Sequence, residues 1–339
     1  MIKCFLNDND SQLEGVIQMK KNCWVGAIFC MLVFLSACGT TSSQQVTSSE
    51  TKNESSPDLA SQEQVITYLD KDYEIIYPTK KIVTASLEAM EDAVALGFEP
   101  LGAVTVGDGF PNYLKEHLGE DVANVGNKFG PDVEAVTALT PDVILGSTKF
   151  DDSVTASLSK IAPTINVSHQ SINWEDNLRL MGQLTGKTED AEQKIVDYQS
   201  DLSAFKKDHP NTPDQKAVII RIRDGELCVY GEKVYYNPMI YGDLGFQIPE
   251  ELNAIEAQTT ISVEQFAKWN VDVVFVQFSD EENAGHLDFL NNLKENAIWQ
   301  STPAVNSNHV YYNIVDAGYQ GGTYLSKEAF LSSASDQLQ

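Results

Sequence analysis

The chain has 339 residues, a formal net charge of −26 and five cysteines. So acidic a protein repels nucleic acid and anionic lipid headgroups, which excludes both as partners. Only Cys228 lies beyond residue 38, so a disulfide framework is excluded and stability has to come from packing.

Lys20 and Lys21 precede an apolar run over 23–35 that is too short to span a bilayer as a helix. Leu35-Ser36-Ala37-Cys38 follows, a small-residue pair ahead of a cysteine, the pattern that is cut and lipidated in bacterial lipoproteins. A signal peptide over 1–37 is therefore predicted, with Cys38 diacylated at the mature N-terminus. The remainder then works outside the cytoplasm, lipid-anchored to the cell membrane. Residues 1–18 are polar and mixed in charge, and Met19 is an alternative start. The Ser/Thr/Gln-rich stretch 38–64 lacks the apolar residues for a core and reads as a disordered tether.

From residue 65 the pattern becomes alternating strand and helix. Strands 65–69 and 73–77 read as an entry hairpin. Strand 81–85 leads into a helix over 88–96 that Gly97 stops. Strands over 100–106, 142–146 and 161–167 follow, with a helix over 133–139. Short loops between them indicate a parallel α/β lobe over 65–187. A long helix is predicted over 188–209, where Ala191, Ile195, Tyr198, Leu202 and Phe205 form one apolar stripe. Its length, about 33 Å, is that of a small domain. Pro210 and Pro213 end it. A second α/β lobe over 210–339 carries strands 216–223, 271–278 and 310–313. Cys228, in an apolar run, reads as a small buried hydrophobe.

The two halves echo each other. Glu134 and Asp142 in one correspond to Glu264 and Asp272 in the other, with Glu at a helix start and Asp just before an apolar strand. By contrast, the common nucleotide-binding and hydrolase motifs are missing. His117, His169, His209, His286 and His309 have no metal-ligand spacing, and only His169, in a loop after a strand, is retained as a candidate. An enzyme reading has no positive support.

Several blocks in order carry a resemblance. They are residues 81–97 with Pro100-Leu-Gly102, Asn124-Val-Gly-Asn127, Pro131-Asp-Val-Glu-Ala135, Leu139-Thr-Pro-Asp-Val143, Ile161-Ala-Pro-Thr164, residues 177–186, and Trp299-Gln-Ser-Thr-Pro-Ala304. From about Lys80 onward the chain resembles the lipoprotein substrate-binding components of ABC importers for iron–siderophore complexes, haem and cobalamin. The resemblance implies an α/β fold of two Rossmann-like lobes joined by one spine helix, the class III periplasmic-binding-protein fold, with ligand in the interlobe cleft. It implies no cofactor or protein-bound metal, the iron arriving as a ferric chelate. It also implies docking of a monomer to a permease dimer with its ATPase, through one acidic residue per lobe, at Glu134 and Glu264. The bland account of each is a helix-start Glu favoured by the helix dipole.

Open α/β sheets bind at the carboxyl ends of their strands. Candidate cleft residues from the first lobe are Ser86, Phe110, Tyr113, Lys128, Phe129, Lys149, Phe150 and Trp174. From the second come Arg221, Arg223, Tyr230, Tyr235, Tyr236, Tyr241, Phe278 and Tyr319. Aromatic and basic side chains together suit a bulky, oxygen-rich chelate. Arg221 and Arg223 share one face of a strand, which is costly unless they face water or an anion. Segments 221–231, 243–246 and 319–326 are similar to members that take ferric hydroxamates, the favoured ligand. A tryptophan expected near the second-lobe cleft is missing, so ferric citrate and catecholates stay open, as do haem and cobalamin. A non-transport scaffold or enzyme on the same fold is the competing class.

Overall fold

The computed structural model describes residues 62–107 and 109–338. The predicted signal peptide, Cys38 and nearly all of the tether lie outside them. The described chain opens with the antiparallel hairpin β1 (Gln62–Tyr68) and β2 (Lys71–Tyr77). The strand thus starts inside the expected tether, because Gln62 pairs with Tyr77 in the ladder. Period-2 alternation turns Ile66, Tyr68 and Ile75 into the core. Tyr68 Oη accepts from the Ser168 amide at 2.8 Å, tying the hairpin to the loop that carries His169.

The first sheet contains β3 (Ile82–Thr84), β4 (Gly102–Thr105), β5 (Ala123–Asn127), β6 (Gly130–Pro131), β7 (Val143–Ser147) and β8 (Thr164–Val167), in the order β6-β5-β4-β3-β7-β8. All its pairings are parallel except β5 with β6. The second contains β9 (Ala217–Arg223), β10 (Glu226–Tyr230), β11 (Gln258–Ile261), β12 (Val273–Phe278) and β13 (Val310–Tyr312), in the order β11-β10-β9-β12-β13. Here β9, β12 and β13 run parallel, while β10 and β11 are antiparallel additions. The β9–β10 hairpin is absent from the sequence expectations. Its signal is Asp224-Gly225, both residues at positive φ (51° and 72°), as a two-residue turn between right-twisted strands requires. The two-lobed α/β architecture expected from the sequence holds.

The echoed aspartates have a structural role in each lobe. Asp142 N donates to Lys81 O, just before β3, and Asp272 N donates to Lys216 O, just before β9, both at 2.9 Å. Each carboxylate accepts a second bond at that same entry, from Thr79 Oγ1 (2.6 Å) and from the Lys216 amide (2.8 Å). Each lobe therefore pins the start of its central strand to the strand beside it.

Between the sheets runs the helix Thr188–Asp208. Ala191, Ile195, Tyr198 and Phe205 on it are buried in a single core that also holds Ile82, Val143 and Ile165 of the first lobe and Ala217, Ile219 and Phe275 of the second. The C-terminal helix Tyr324–Gln337 packs on the same core through Phe330, whose ring lies 4.7 Å from that of Tyr236 and 5.1 Å from that of Phe275. Separating the lobes widely would open this shared core to water, so the fold favours small closing motions.

A buried carboxylate reinforces the junction. Glu91, on the first helix (Leu87–Ala95), accepts from Tyr113 Oη at 2.7 Å, from Ser326 Oγ at 2.9 Å and from Thr323 Oγ1. Thr323 caps the C-terminal helix, so Glu91 joins that helix to the first lobe. Burial outweighs these three donors and pushes the Glu91 carboxyl up to about 7. Its neighbour Asp92 is buried with neither oxygen bonded among the described residues, and burial with the nearby Glu91 raises it well above the carboxylate range. A carboxyl held higher in the folded than in the unfolded chain contributes stability below about 4.5 that is lost as pH rises through about 7. Glu91 should thus cost about 3 kcal/mol between pH 5 and pH 8. Glu91→Gln should flatten that part of the profile in urea unfolding; an unchanged slope would refute the assignment.

Candidate functional site

Each sheet has a point where the strand order reverses, and crevices for ligands form beyond the carboxyl ends there. In the first sheet it lies between β3 and β7, in the second between β9 and β12. Charged side chains gather at both. Lys149, just past β7, pairs with Glu88 on the first helix at 3.0 Å. Ser86, just past β3, is the cap of that helix, accepting from Ala89 N at 3.2 Å. Lys128 follows β5. Burial, and then the like charges of Lys149 and Arg221, hold its ammonium below the ordinary lysine range. Lys128 therefore feels a cation of each lobe. His169, bonded through Nδ1 to Thr148 Oγ1 at 2.7 Å, is lowered by burial and by Lys149.

On the opposite side β9 is buried along both faces up to its last residue, so it reads as a nearly continuous apolar run. Arg221 interrupts that run with a side chain only 8% exposed; Arg223, on the same face, is 46% exposed. Their neutralising partner is Glu282, which follows β12. Arg221 donates to both of its oxygens, Nε at 2.7 Å and Nη2 at 2.9 Å, and Arg223 Nε lies 3.3 Å away. Arg223 also donates to Gln258 Oε1 at 3.2 Å. Burial opposes the Arg221 charge, but Tyr235 and Glu282 beside it hold its pKa above the ordinary value. The guanidinium lies over the Tyr235 ring, 5.3 Å from its centre, and that ring packs 4.7 Å from Tyr230. Both tyrosine hydroxyls are buried without a hydrogen-bond partner among the described residues.

Lys128 thus lies near Lys149 of its own lobe and Arg221 of the other, with Tyr235 under the Arg221 guanidinium and Tyr230 against Tyr235. Phe129 projects into solvent at 74% exposure beside Lys128, whose Nζ lies 5.3 Å from the ring centre. Tyr113 and Tyr319 meet across the lobes with ring centres 4.1 Å apart, and Phe110 and Tyr113 both pack on the small core around Met90 and Leu114. Phe150 and Phe278 belong to the cores of their own lobes.

Three expectations are corrected. Tyr236 is fully buried against Phe330 and Tyr235. Trp174 packs into the spine, 5.1 Å from the Tyr198 ring and 6.2 Å from that of Tyr324. Tyr241 donates to Ala217 O at 3.0 Å, at the start of β9 and so at the end opposite the arginines. All three serve the core because aromatic area buries where helices and sheet meet, whatever its distance from a ligand. Sequence reasoning missed Glu88 and Glu282; the latter's signal was its place just beyond the carboxyl end of β12. Glu281, next to it, accepts from Asn112 Nδ2 of the first lobe at 3.2 Å. Among the described residues no group of His, Cys, Asp and Glu is placed to hold a metal. Glu134 and Glu264 are exposed in the first turns of helices capped by Asp132 and Ser262.

The family of periplasmic binding proteins matches this chain over residues 82–313. The chain belongs to it. The iron-uptake system-binding protein of Bacillus subtilis is 42% identical over 322 residues, covering 94% of this chain and 99% of that one. The crystal structure of the triscatecholate siderophore binding protein FeuA from Bacillus subtilis, complexed with ferri-bacillibactin, is 44% identical with a TM-score of 0.74, covering 81% of this chain and 98% of that one. Staphylococcus aureus SirA complexed with staphyloferrin B is 27% identical, TM-score 0.68, over 81% of this chain and 98% of that one. The two Bacillus subtilis relatives bear the names of binding proteins, as the resemblance to importers of iron–siderophore complexes implies.

The unequal burial of the two arginines has a direct consequence. Arg221→Ala should cost about 2 kcal/mol or more, because it breaks a largely buried ion pair. Arg223→Ala should cost under about 1 kcal/mol, as an exposed pair does. Urea unfolding of both variants measures the difference, and equal losses would contradict the placement of Arg221.

Proposed function

We propose that this protein is an extracytoplasmic receptor that captures a ferric siderophore in the interlobe cleft and delivers it to an ABC permease for iron uptake. We further propose that the siderophore is a tris-catecholate. The observation that carries this reading is the convergence of Lys128 and Lys149 of one lobe on Arg221 and Arg223 of the other, with Tyr230 and Tyr235 beside them.

Three catecholates around ferric iron leave a trianion, whereas three hydroxamates leave a neutral complex. Four cations set against the two carboxylates Glu88 and Glu282 suit the trianion. Forked guanidinium donors reach chelating oxygens, and flat tyrosine rings suit flat catechol rings. The cations thus favour a catecholate over the hydroxamate that the sequence resemblance suggests. The ferri-bacillibactin complex of the 44% identical relative supports the same choice. Iron arrives already coordinated, so the protein recognises the chelate and not the metal.

Lipidation at Cys38 and a tether up to the β1–β2 hairpin would hold the receptor at the membrane while leaving it free to reach the permease. Glu134 and Glu264, at equivalent helix starts of the two lobes, would each meet a cation of the permease dimer.

Two experiments test these proposals. In tryptophan fluorescence titrations of the full-length protein, a ferric tris-catecholate should bind with submicromolar affinity and a ferric hydroxamate at least about 100-fold more weakly. That preference should shrink as salt is raised. Lys128→Ala and Arg223→Ala should each weaken catecholate binding by about tenfold. Tighter binding of the hydroxamate would overturn the catecholate reading, and no saturable binding of any ferric chelate would overturn the receptor itself. In cells, the double variant Glu134→Ala/Glu264→Ala should abolish uptake with ligand affinity intact; normal uptake would sink the docking role.

A further inference from the structure

The cationic side of the cleft already contains an anion, and it belongs to the protein. Glu282 engages both forked donors of Arg221 and lies 3.3 Å from Arg223. Its position is built in. Glu282 lies in the turn Glu281–Asn283, and that turn is fastened to the β9–β10 hairpin. Asn283 Nδ2 donates to Ile222 O at 2.8 Å and to Ser279 O at 2.9 Å, while its Oδ1 accepts from Gly225 N at 3.1 Å. Asp224 N donates to Glu282 O at 2.9 Å. The carboxylate is nevertheless 24% exposed and so within reach of a ligand entering the cleft.

These facts conflict with a cleft that simply waits for an anion. A buried guanidinium needs a counter-charge at all times. Any chelate whose oxygens are to use the Nε–Nη2 edge of Arg221 has to take the place of Glu282 there. Once bound, a trianion sits beside a carboxylate that repels it. The pair therefore neutralises Arg221 in the empty protein and opposes the ligand in the full one.

Resting on the tris-catecholate reading above, we propose that Glu282 is a resident counter-anion that trades places with the anionic oxygens of the chelate at Arg221 and Arg223. Binding breaks the two Arg221–Glu282 hydrogen bonds and replaces them with bonds to chelate oxygens. Release re-forms them, so the protein carries its own return stroke and hands over a ligand that free arginines would hold too tightly. Glu282 acts through the arginines and is a positioning residue.

Glu282→Gln removes the charge at nearly constant shape. With ferric enterobactin as the trianionic probe, the variant should bind at least about tenfold more tightly than the full-length wild type, chiefly through slower dissociation in stopped-flow fluorescence. The empty variant should melt at a lower temperature, because Arg221 loses its counter-charge, and saturation with the probe should close that gap. Glu282→Asp keeps the charge on a shorter arm and should fall between the two, which also covers a variant that folds poorly. Equal or weaker binding by Glu282→Gln, with the wild type binding well, would overturn the inference: Glu282 would then merely aim the arginines for the ligand. If the wild type fails to bind any ferric chelate while Glu282→Gln binds one, the receptor reading of the wild type fails and the displacement stands. Failure of both variants to bind would overturn both.

Discussion

A guanidinium on a strand buried along both faces has to be neutralised where it stands, and much of this molecule follows from that constraint at Arg221. The strand is buried because it is central in its sheet, with neighbours on either side and helices over its faces. Its carboxyl end is the one place where a charge on it can meet an anion, since the chain crosses there to β10 on one side and from β12 on the other. Glu282 comes from that second crossing. The tight Asp224-Gly225 turn brings the first crossing close enough for Asn283 to bind both. Loop, turn and ion pair are therefore one unit, and it faces the cleft because the carboxyl ends do.

The two lobes solve the same assembly problem in parallel. Asp142 and Asp272 each fasten the entry of a central strand to the strand beside it, which fixes the register of the pair and so the height at which each carboxyl end opens. The lobes diverge at that end. The first presents lysines, of which Lys149 is half-exposed and paired with Glu88; the second presents arginines held in a carboxylate fork. Lysine supplies a mobile point charge and arginine a fixed planar one, so one wall can adapt to the chelate that the other orients. The shared core along the helix Thr188–Asp208 keeps the walls at nearly constant separation.

How much of this was legible in the chain depended on the range of the interaction. The apolar stripe of the long helix and the strands β3, β7, β9 and β12 show themselves in local periodicity, because burial acts on every residue of an element. The pairing of Arg221 with Arg223 on one face was legible for the same reason, being a property of a single strand. Glu282 was not, because it lies 61 positions from Arg221 and shares its place beyond the carboxyl end of β12 with Asp280 and Glu281. Trp174, Tyr236 and Tyr241 show the opposite error. A large ring in a loop or short helix looks like a ligand contact, but whether it faces cleft or core is decided by elements far away in sequence. The Asp224-Gly225 hairpin was present in plain sight, yet the apolar run that holds Cys228 was read only as a place of burial and not as a strand.

The acidity of the chain sharpens the meaning of the basic cleft. With a formal net charge of −26, the protein as a whole repels a trianion at long range. At about 0.1 M salt that repulsion is screened beyond roughly 10 Å, so attraction has to be generated within that distance of the bound ligand. Lys128, Lys149, Arg221 and Arg223 are placed to do so, Arg221 from a largely buried position where salt penetrates poorly. The raised cost of placing four cations together appears in Lys128, whose proton is loosened by burial and by its neighbours. Bringing in a compact trianion relieves that repulsion in a way no neutral complex can. On the tris-catecholate reading proposed above, selectivity for a charged chelate would follow from crowding cations on an acidic protein, and the single carboxylate of Glu282 would keep that crowding tolerable while the cleft is empty.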